Sequence, residues 1–366
     1  MATKRTRFSH QIESLPATVP FVAPEALERI TGRAIELRLG ANESPFGVSP
    51  KAIAAMQQEV TKGYLYGDPE SLPLRRALAA KHHISIDEMA VGSGIDEILG
   101  WIARSFLDPG DAVVTSLGGY PTFNYHVTGF GGRLHFVPYT KEWTNHLTGL
   151  AQAAHDTHAR LVYLANPDNP TGTFYSADTL STFITSLPEE TTLVLDEAYI
   201  EFADPAQVLP LSPVFDRVIR LRTFSKAYGM AGLRIGYAVA NKDIIKSFDK
   251  FRNHFGVNRI AQAGALAALS DTDFLSMVTA QTRIGRRDLA MAASQRGLTP
   301  IPSSTNFLLI HVGDEHRAKQ IVDSLMKDHG VFIRMPGTSP LNECIRVTIG
   351  TPEQHPKLLQ ALEQVW

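Results

Sequence analysis

Between about residue 85 and residue 240 the chain repeats one pattern: a short, nearly all-apolar run that ends in polar residues, followed by an amphipathic stretch. The runs are "EMAVGSG", "DAVVTS", "RLHFVPY", "RLVYLANP", "TTLVLDEAY", "RVIRLRTFS" and "LRIGYAVA". Few folds satisfy it. Strands apolar on both faces need cover on both faces, and helical stretches such as "SADTLSTFITSLP" lie between them to supply it. The expectation is an α/β fold with a mostly parallel sheet. After residue 255 the pattern changes to a long helical segment, then "NFLLIHV", a further amphipathic stretch and "CIRVTIG", which reads as a smaller α+β domain. The expected organisation is an amino-terminal arm over 1–33, extended through Pro16, Pro20 and Pro24, a large domain over 34–255 and a small domain over 256–366.

Composition narrows the function classes. At 366 residues, 44% of them hydrophobic, the chain is long enough for two cores. Its 35 basic and 37 acidic residues give a net charge of −2, so no polyanion-binding surface is indicated and small molecules are the expected partners, not nucleic acid. A single cysteine, Cys344, excludes an intrachain disulfide framework and suits a reducing compartment. The opening residues "MATKRTRFSHQIESLP" lead into no apolar stretch, and no run has the length of a membrane span. A cytoplasmic protein without membrane association is expected. His82 and His83 are adjacent, but the thirteen histidines form no ligand pattern, and no metal site is expected.

In an open α/β sheet ligands bind at the carboxyl ends of the strands, and here the polar clusters lie at such ends. "NPDNPTG" follows "RLVYLA", "DEAY" follows "TTLVL", "TFSKAYG" follows "RVIRLR", and "GSGIDE" follows "EMAV" and opens a helix. A lone lysine after a strand is ordinarily a solvated charge. In this company Lys226 has another use. Pyridoxal phosphate asks for a lysine amine to bond its aldehyde, an aspartate to keep its ring nitrogen protonated, and donors at a helix amino terminus for its phosphate. Lys226, Asp196 and the "GSGIDE" turn can supply all three.

From "LGANESPFG" through "YGDPESLPLRRALA", "NPDNPTGT", "LDEAYIEF" and "RTFSKAYGMAGLRIGYA" to "IRVTIGTPEQ", the chain resembles the fold type I pyridoxal-phosphate aminotransferases, and within them the histidinol-phosphate aminotransferase branch. The resemblance implies that Lys226 is the catalytic lysine and Asp196 the partner of the ring nitrogen. Asn169 and Tyr199 become donors to the ring's 3-oxygen, and Tyr120 an aromatic stacked on the ring. Thr223, Ser225 and Arg234, with backbone amides around Ile95 and Asp96, become the phosphate cup. It implies that Arg346 clamps a substrate α-carboxylate with help from Asn42, that Arg334 holds a substrate phosphate, and that Tyr66 reaches the cofactor phosphate of a neighbouring subunit. A homodimer with shared sites follows, using an amino donor and 2-oxoglutarate.

Each residue also has an ordinary structural reading. Tyr120 and Tyr199 can be packing tyrosines, Asn169 can serve its turn, Asp196 or Ser225 can cap a helix, and Arg234 or Arg334 can be a surface cation. The chain also departs from the branch. Thr18 stands where a tyrosine is usual, "RLGANESPFG" lacks the common acidic-lysine form, "YGDP" replaces "YPDP", and "SLGGYPTF" lacks a proline-threonine pair before the aromatic. These departures surround the substrate side chain, not the cofactor. Three alternatives stay open on the residues alone: an aromatic amino-acid aminotransferase, a related decarboxylase, and a cofactor-binding regulatory module. The last needs a DNA-binding helix pair, for which a thirty-residue arm is short.

Overall fold

The structure is a computed structural model and describes residues 7–13, 15–17 and 23–366. Among these residues the strands are, in chain order, β1 (Leu37–Arg38), β2 (Met89–Gly92), β3 (Ala112–Ser116), β4 (Arg133–Val137), β5 (Leu161–Ala165), β6 (Thr192–Asp196), β7 (Val218–Thr223), β8 (Gly236–Val239), β9 (Thr299–Pro300), β10 (Phe307–His311), β11 (Val331–Phe332) and β12 (Cys344–Thr348). Seven of them form the central sheet in the order β2-β8-β7-β6-β5-β3-β4. Only β8 runs antiparallel to its neighbours, and every other pairing in this sheet is parallel. The α/β expectation is met.

Strands β5, β6 and β7 are buried along their whole length, which explains why their sequences do not alternate. One face is covered by the helix Ile95–Phe106, whose Ile98, Leu99 and Ile102 have no exposed surface. Each such side chain contributes about 1.5–3 kcal/mol by leaving water. The other face packs on Leu150, Leu180 and Phe183 from the helices Leu147–Thr157 and Ala177–Ser186. Register then positions the site. Ala165 of β5 pairs with Asp196 of β6, which pairs with Leu221 of β7, so the loops after these strands leave the sheet close together.

The second unit holds the antiparallel sheet β12-β10-β9 and a separate core. Its limits differ from the sequence expectation at both ends. Strand β1 pairs in parallel with β11, and Leu37 and Leu39 are buried with Leu289, Val331 and Ile345, so the segment following residue 34 belongs with the carboxyl-terminal core. Conversely, the helix Arg259–Ser270 turns Ala261, Ala265 and Ala268 toward Leu74 and Leu78, in the same apolar cluster as Val239 of the central sheet. Sequence periodicity identifies an apolar face but not what covers it. The arm differs too. Pro24 opens a helix, Pro24–Thr31, at the first helical position, where proline's missing N–H is no loss. Among the described residues no helix is long and apolar enough to cross a membrane.

Candidate active site

A cleft of about 750 Å³ opens where the strand ends of the central sheet face the second unit. Fourteen residues were expected at the site, and all but Tyr66 line it: Asn42, Ile95, Asp96, Tyr120, Asn169, Asp196, Tyr199, Thr223, Ser225, Lys226, Arg234, Arg334 and Arg346. Tyr66 is 80% exposed and stacks on Phe255 at 4.7 Å between ring centroids, away from the cleft of its own chain. Thr18 lies outside the described residues.

The deepest charged group is Asp196, 5% exposed at the end of β6. Its Oδ2 accepts a hydrogen bond from the Tyr163 hydroxyl at 2.7 Å, and its Oδ1 accepts one from the Ala198 backbone N–H at 3.0 Å. Both donors are neutral. Burial therefore dominates and pushes the carboxyl up to about 6. A cation placed against it would reverse that shift, so this end of the cleft is built to receive one.

Lys226 lies in the turn after β7, half-buried, with Nζ 5.5 Å from the centroid of the Tyr199 ring. Tyr199 is fixed from two sides: its hydroxyl accepts from Asn42 Nδ2 at 3.0 Å, and its ring meets Phe307 edge-on at 5.3 Å. The loop after Lys226 returns through Gly229 at φ 71°, where a Cβ would lie 1.8 Å from the Gly47 carbonyl oxygen. Only glycine fits there.

Together with the residues just before the lysine the chain forms an anion cradle. The helix Ile95–Phe106 begins after Gly94 with no side-chain cap, which leaves its first N–H groups for another acceptor. Gly94 has φ 84°, and a Cβ on it would fall 2.3 Å from Arg234 Nη2. Thr223 Oγ1 donates to Ser225 Oγ at 3.0 Å, and Arg234 Nη1 donates to the same oxygen at 3.4 Å, so the Ser225 proton remains to be donated. Arg234 Nη2 also meets Asp96 Oδ2 at 3.3 Å, and Asp96 Oδ1 accepts from Tyr120 at 3.2 Å. Burial, with the Asp96 charge behind it, pushes the Tyr120 hydroxyl up. Arg234 holds φ 55° and Asn42 φ 54°, both in the left-handed region, where non-glycine residues are rare.

The second unit contributes cations. The backbones of Arg334 and Arg346 bond each other in both directions, at 3.2 and 2.7 Å, so both side chains leave adjacent positions and reach the cleft. Arg346 donates Nη1 to Asn169 Oδ1 at 2.6 Å and Nη2 to the Gly40 carbonyl at 3.1 Å, while its buried Nε has no partner. These acceptors are neutral, and burial lowers the pKa of Arg346. Burial lowers Arg334 as well. A substrate anion would relieve this cost.

These groups fit pyridoxal phosphate. The uncapped helix start, the Gly94 cradle, Thr223, Ser225 and Arg234 suit the phosphate, Asp196 suits a protonated ring nitrogen, and Lys226 suits the aldehyde.

Several supporting residues escaped the sequence reading. Tyr163 holds Asp196 and stacks on Phe123 at 5.2 Å, but a tyrosine inside an apolar strand reads as core. Asp168, 2% exposed, accepts from Tyr139 at 3.2 Å, from Asn145 at 3.0 Å and from the Thr171 hydroxyl at 2.7 Å, which fixes the loop carrying Asn169. "PDNP" signals only a turn. Asn124, whose buried Oδ1 has no partner, lines the cleft and carried no sequence signal.

Comparison with known proteins agrees with this geometry. Residues 34–362 match the model of the family described as aminotransferase class I and II. The histidinol-phosphate aminotransferase 2 of Carboxydothermus hydrogenoformans is 36% identical over 358 residues, which covers 97% of this chain and 98% of the relative. The histidinol-phosphate aminotransferase of Staphylococcus epidermidis is 33% identical, covering 96% of this chain and 98% of its own length. Among solved structures, the histidinol-phosphate aminotransferase of Sinorhizobium meliloti in complex with pyridoxal-5'-phosphate superimposes with a TM-score of 0.94 and 48% identity, covering 99% of this chain and 98% of that one.

Proposed function

Because this chain belongs to the aminotransferase class I and II family, we propose that it transfers an amino group from histidinol phosphate to 2-oxoglutarate, yielding imidazole acetol phosphate and glutamate, with pyridoxal phosphate as cofactor. The observation that carries the substrate reading is the pair of guanidinium groups, Arg334 and Arg346, which leave adjacent backbone positions of the second unit and line the cleft. Two such cations suit substrates that each bring an anionic group besides the reacting carbon.

Pyridoxal phosphate, when bound, supplies an electrophilic aldehyde and a protonated ring that withdraws the electrons left at a substrate Cα when its proton departs. Lys226 would hold the cofactor's aldehyde and, as a free amine, would accept the proton leaving the substrate Cα and return it. Asp196 keeps the ring nitrogen protonated. Tyr199 and Asn169 donate to the ring oxygen, and Asn42 and Arg346 orient those two donors. Arg346 receives the α-carboxylate of 2-oxoglutarate, and Arg334 the donor phosphate. The exposed Tyr66 and Phe255 support a homodimer in which Tyr66 enters the partner's cleft, and the lone cysteine supports a cytoplasmic setting.

A single-turnover comparison tests this. Holoenzyme is mixed with histidinol phosphate, histidinol, phenylalanine or tyrosine, and the loss of visible cofactor absorbance is followed for wild type and Arg334→Gln. Charge-assisted hydrogen bonds to a phosphate contribute about 1.5–3 kcal/mol, so histidinol phosphate should lose roughly ten- to a hundredfold in kcat/KM while the other donors change little. Equal losses on all four donors would make Arg334 structural. A wild type that prefers phenylalanine would move the assignment to aromatic amino acids, and release of carbon dioxide would point to decarboxylation.

A further inference from the structure

The long helix Thr272–Gln295 carries Arg283, Arg286 and Arg287 at spacings of three and four residues, which places them on one helical face. They line a second cavity, of about 340 Å³, that shares no lining residue with the active-site cleft. Ile301, Pro302 and Leu308 form its apolar wall.

The charge here lacks a counterpart. Arg287 is engaged by Asp288 at 2.9 Å. Neither Arg283 nor Arg286 forms an ion pair among the described residues. Arg286 is half-buried, and its Nη1 donates to the Thr305 carbonyl, a neutral acceptor. Burial, and then the charge of Arg283, push the Arg286 guanidinium down to about 10. Two close guanidinium groups, one of them partly removed from water, are unfavourable unless an anion joins them.

We propose that this cavity is a regulatory binding site for a small phosphomonoester, its dianion held between Arg283 and Arg286 and its organic body against Ile301, Pro302 and Leu308. A phosphate matches two guanidinium forks in charge and geometry, whereas a single carboxylate satisfies one. The volume lies at the lower end of small-molecule cavities, roughly 300–1,000 Å³, and suits a phosphate with one ring or short chain.

The same contacts connect the cavity to the active site. Thr305, which accepts from Arg286, precedes Asn306, whose Nδ2 donates to the carbonyls of Asn42 at 3.1 Å and Glu43 at 3.2 Å. Asn42 in turn donates to Tyr199. The neighbouring Ser304 N–H donates at 2.7 Å to Gly172, three residues beyond Asn169. Arg286 bonds Thr305 in the structure, and an anion in the cavity would draw it away from that carbonyl. An occupant that does so loosens the segment Ser303–Asn306 that braces Asn42.

Calorimetric titration of the holoenzyme with phenyl phosphate tests the site, with benzoate and phenol as controls. Two binding events per chain are expected. Arg334→Gln should remove one, and Arg283→Gln should weaken the other at least tenfold while sparing the first. Arg283 is exposed, so this variant carries the test if Arg286→Gln fails to fold. Amide hydrogen exchange over residues 303–306 should rise on adding phenyl phosphate to wild type and stay level in Arg283→Gln. A single event that vanishes in Arg334→Gln, an unchanged affinity in Arg283→Gln, equal binding of benzoate or phenol, or exchange that ignores the ligand would each overturn the proposal.

Discussion

Asp196 and Glu197 are consecutive carboxylates at the end of one buried strand, yet they face regions of opposite character. On the cleft side, Asp196 has only neutral donors, Tyr163 and a backbone amide, and its pKa is raised. On the far side, Glu197 is 1% exposed and sits between two arginines of β7: Arg220 at 2.5 and 3.1 Å, and Arg222 at 2.9 Å. Against the burial that would raise it, the two guanidinium charges hold Glu197 below the usual carboxylate range. Arg220 also donates to the carbonyls of Leu209 and Pro210, so its burial is fully compensated. Beyond it, His82 bonds the Tyr237 hydroxyl at 3.0 Å, and burial pushes its imidazole down to about 3. The Glu197–Arg220–Arg222 cluster is paired within the chain. On the proposed function, the cleft side is completed by a cation at Asp196 and anions at the cradle and at Arg346. A buried charge already paired serves the fold, whereas Asp196, held by neutral groups on the wall of the cleft, leaves room for a ligand's charge.

Substitutions on the two sides should therefore fail in different ways. The largest expected effect is on the cleft side: Lys226→Ala should abolish turnover while the protein remains folded and holds the cofactor noncovalently. Borohydride reduction and peptide mapping of wild type should label Lys226, and a label on another lysine would remove the centre of the reading. Next comes the far side. Glu197→Gln leaves two buried guanidinium groups without their counter-charge, and breaking a buried pair costs about 3–5 kcal/mol. Denaturant unfolding measures this, and a loss near zero would break the contrast.

Asp196→Asn should not lower stability and should slow the half-reaction by on the order of a hundredfold or more, since an amide cannot balance a protonated ring nitrogen. A near-normal single-turnover rate would show that the aspartate is misassigned.

The smallest effect is a slope. In the cofactor-free protein the folded Asp196 holds its proton up to about pH 6, whereas the unfolded residue releases it near 3.8. The unfolded state therefore binds fewer protons across that window, and this group's contribution to stability falls as pH rises from about 4 to 6. Asp196→Asn should lack the fall, so the variant gains on wild type with rising pH. Glu197 acts in the opposite sense. Its pKa is lowered, so its contribution is present above the ordinary 4.5 and is lost as pH falls through the depressed value. Parallel unfolding curves for wild type and Asp196→Asn across this window would remove the proposed difference between the regions.

The comparison also explains what could be read before folding. Lys226, Asp196, Asn169 and Ser225 were legible because each stands just past an apolar run, and in a parallel sheet that position is the ligand-binding edge whatever the other details. The environment of each was not. Nothing in "LDEAY" distinguishes the carboxylate that awaits a cation from the one already paired, because Arg220 and Arg222 reach Glu197 only through the alignment of β6 with β7. Tyr163 and Asp168 were missed for the same reason: Asp196, which Tyr163 bonds, and Asn145 and Tyr139, which bond Asp168, lie 23 to 33 residues away.

By itself the sequence determined the layering of the central sheet, since short apolar runs alternating with amphipathic stretches read as strands covered by helices, and the order of the chemical groups along its edge. Tertiary structure decided which core each remaining segment joins. Leu37 and Leu39 could bury against either unit, and the pairing of β1 with β11 took them to the second. It also decided where charge remains unpaired, at Asp196, Arg346 and Arg286, because a charge is neutralised by neighbours in space and the sequence records only neighbours along the chain.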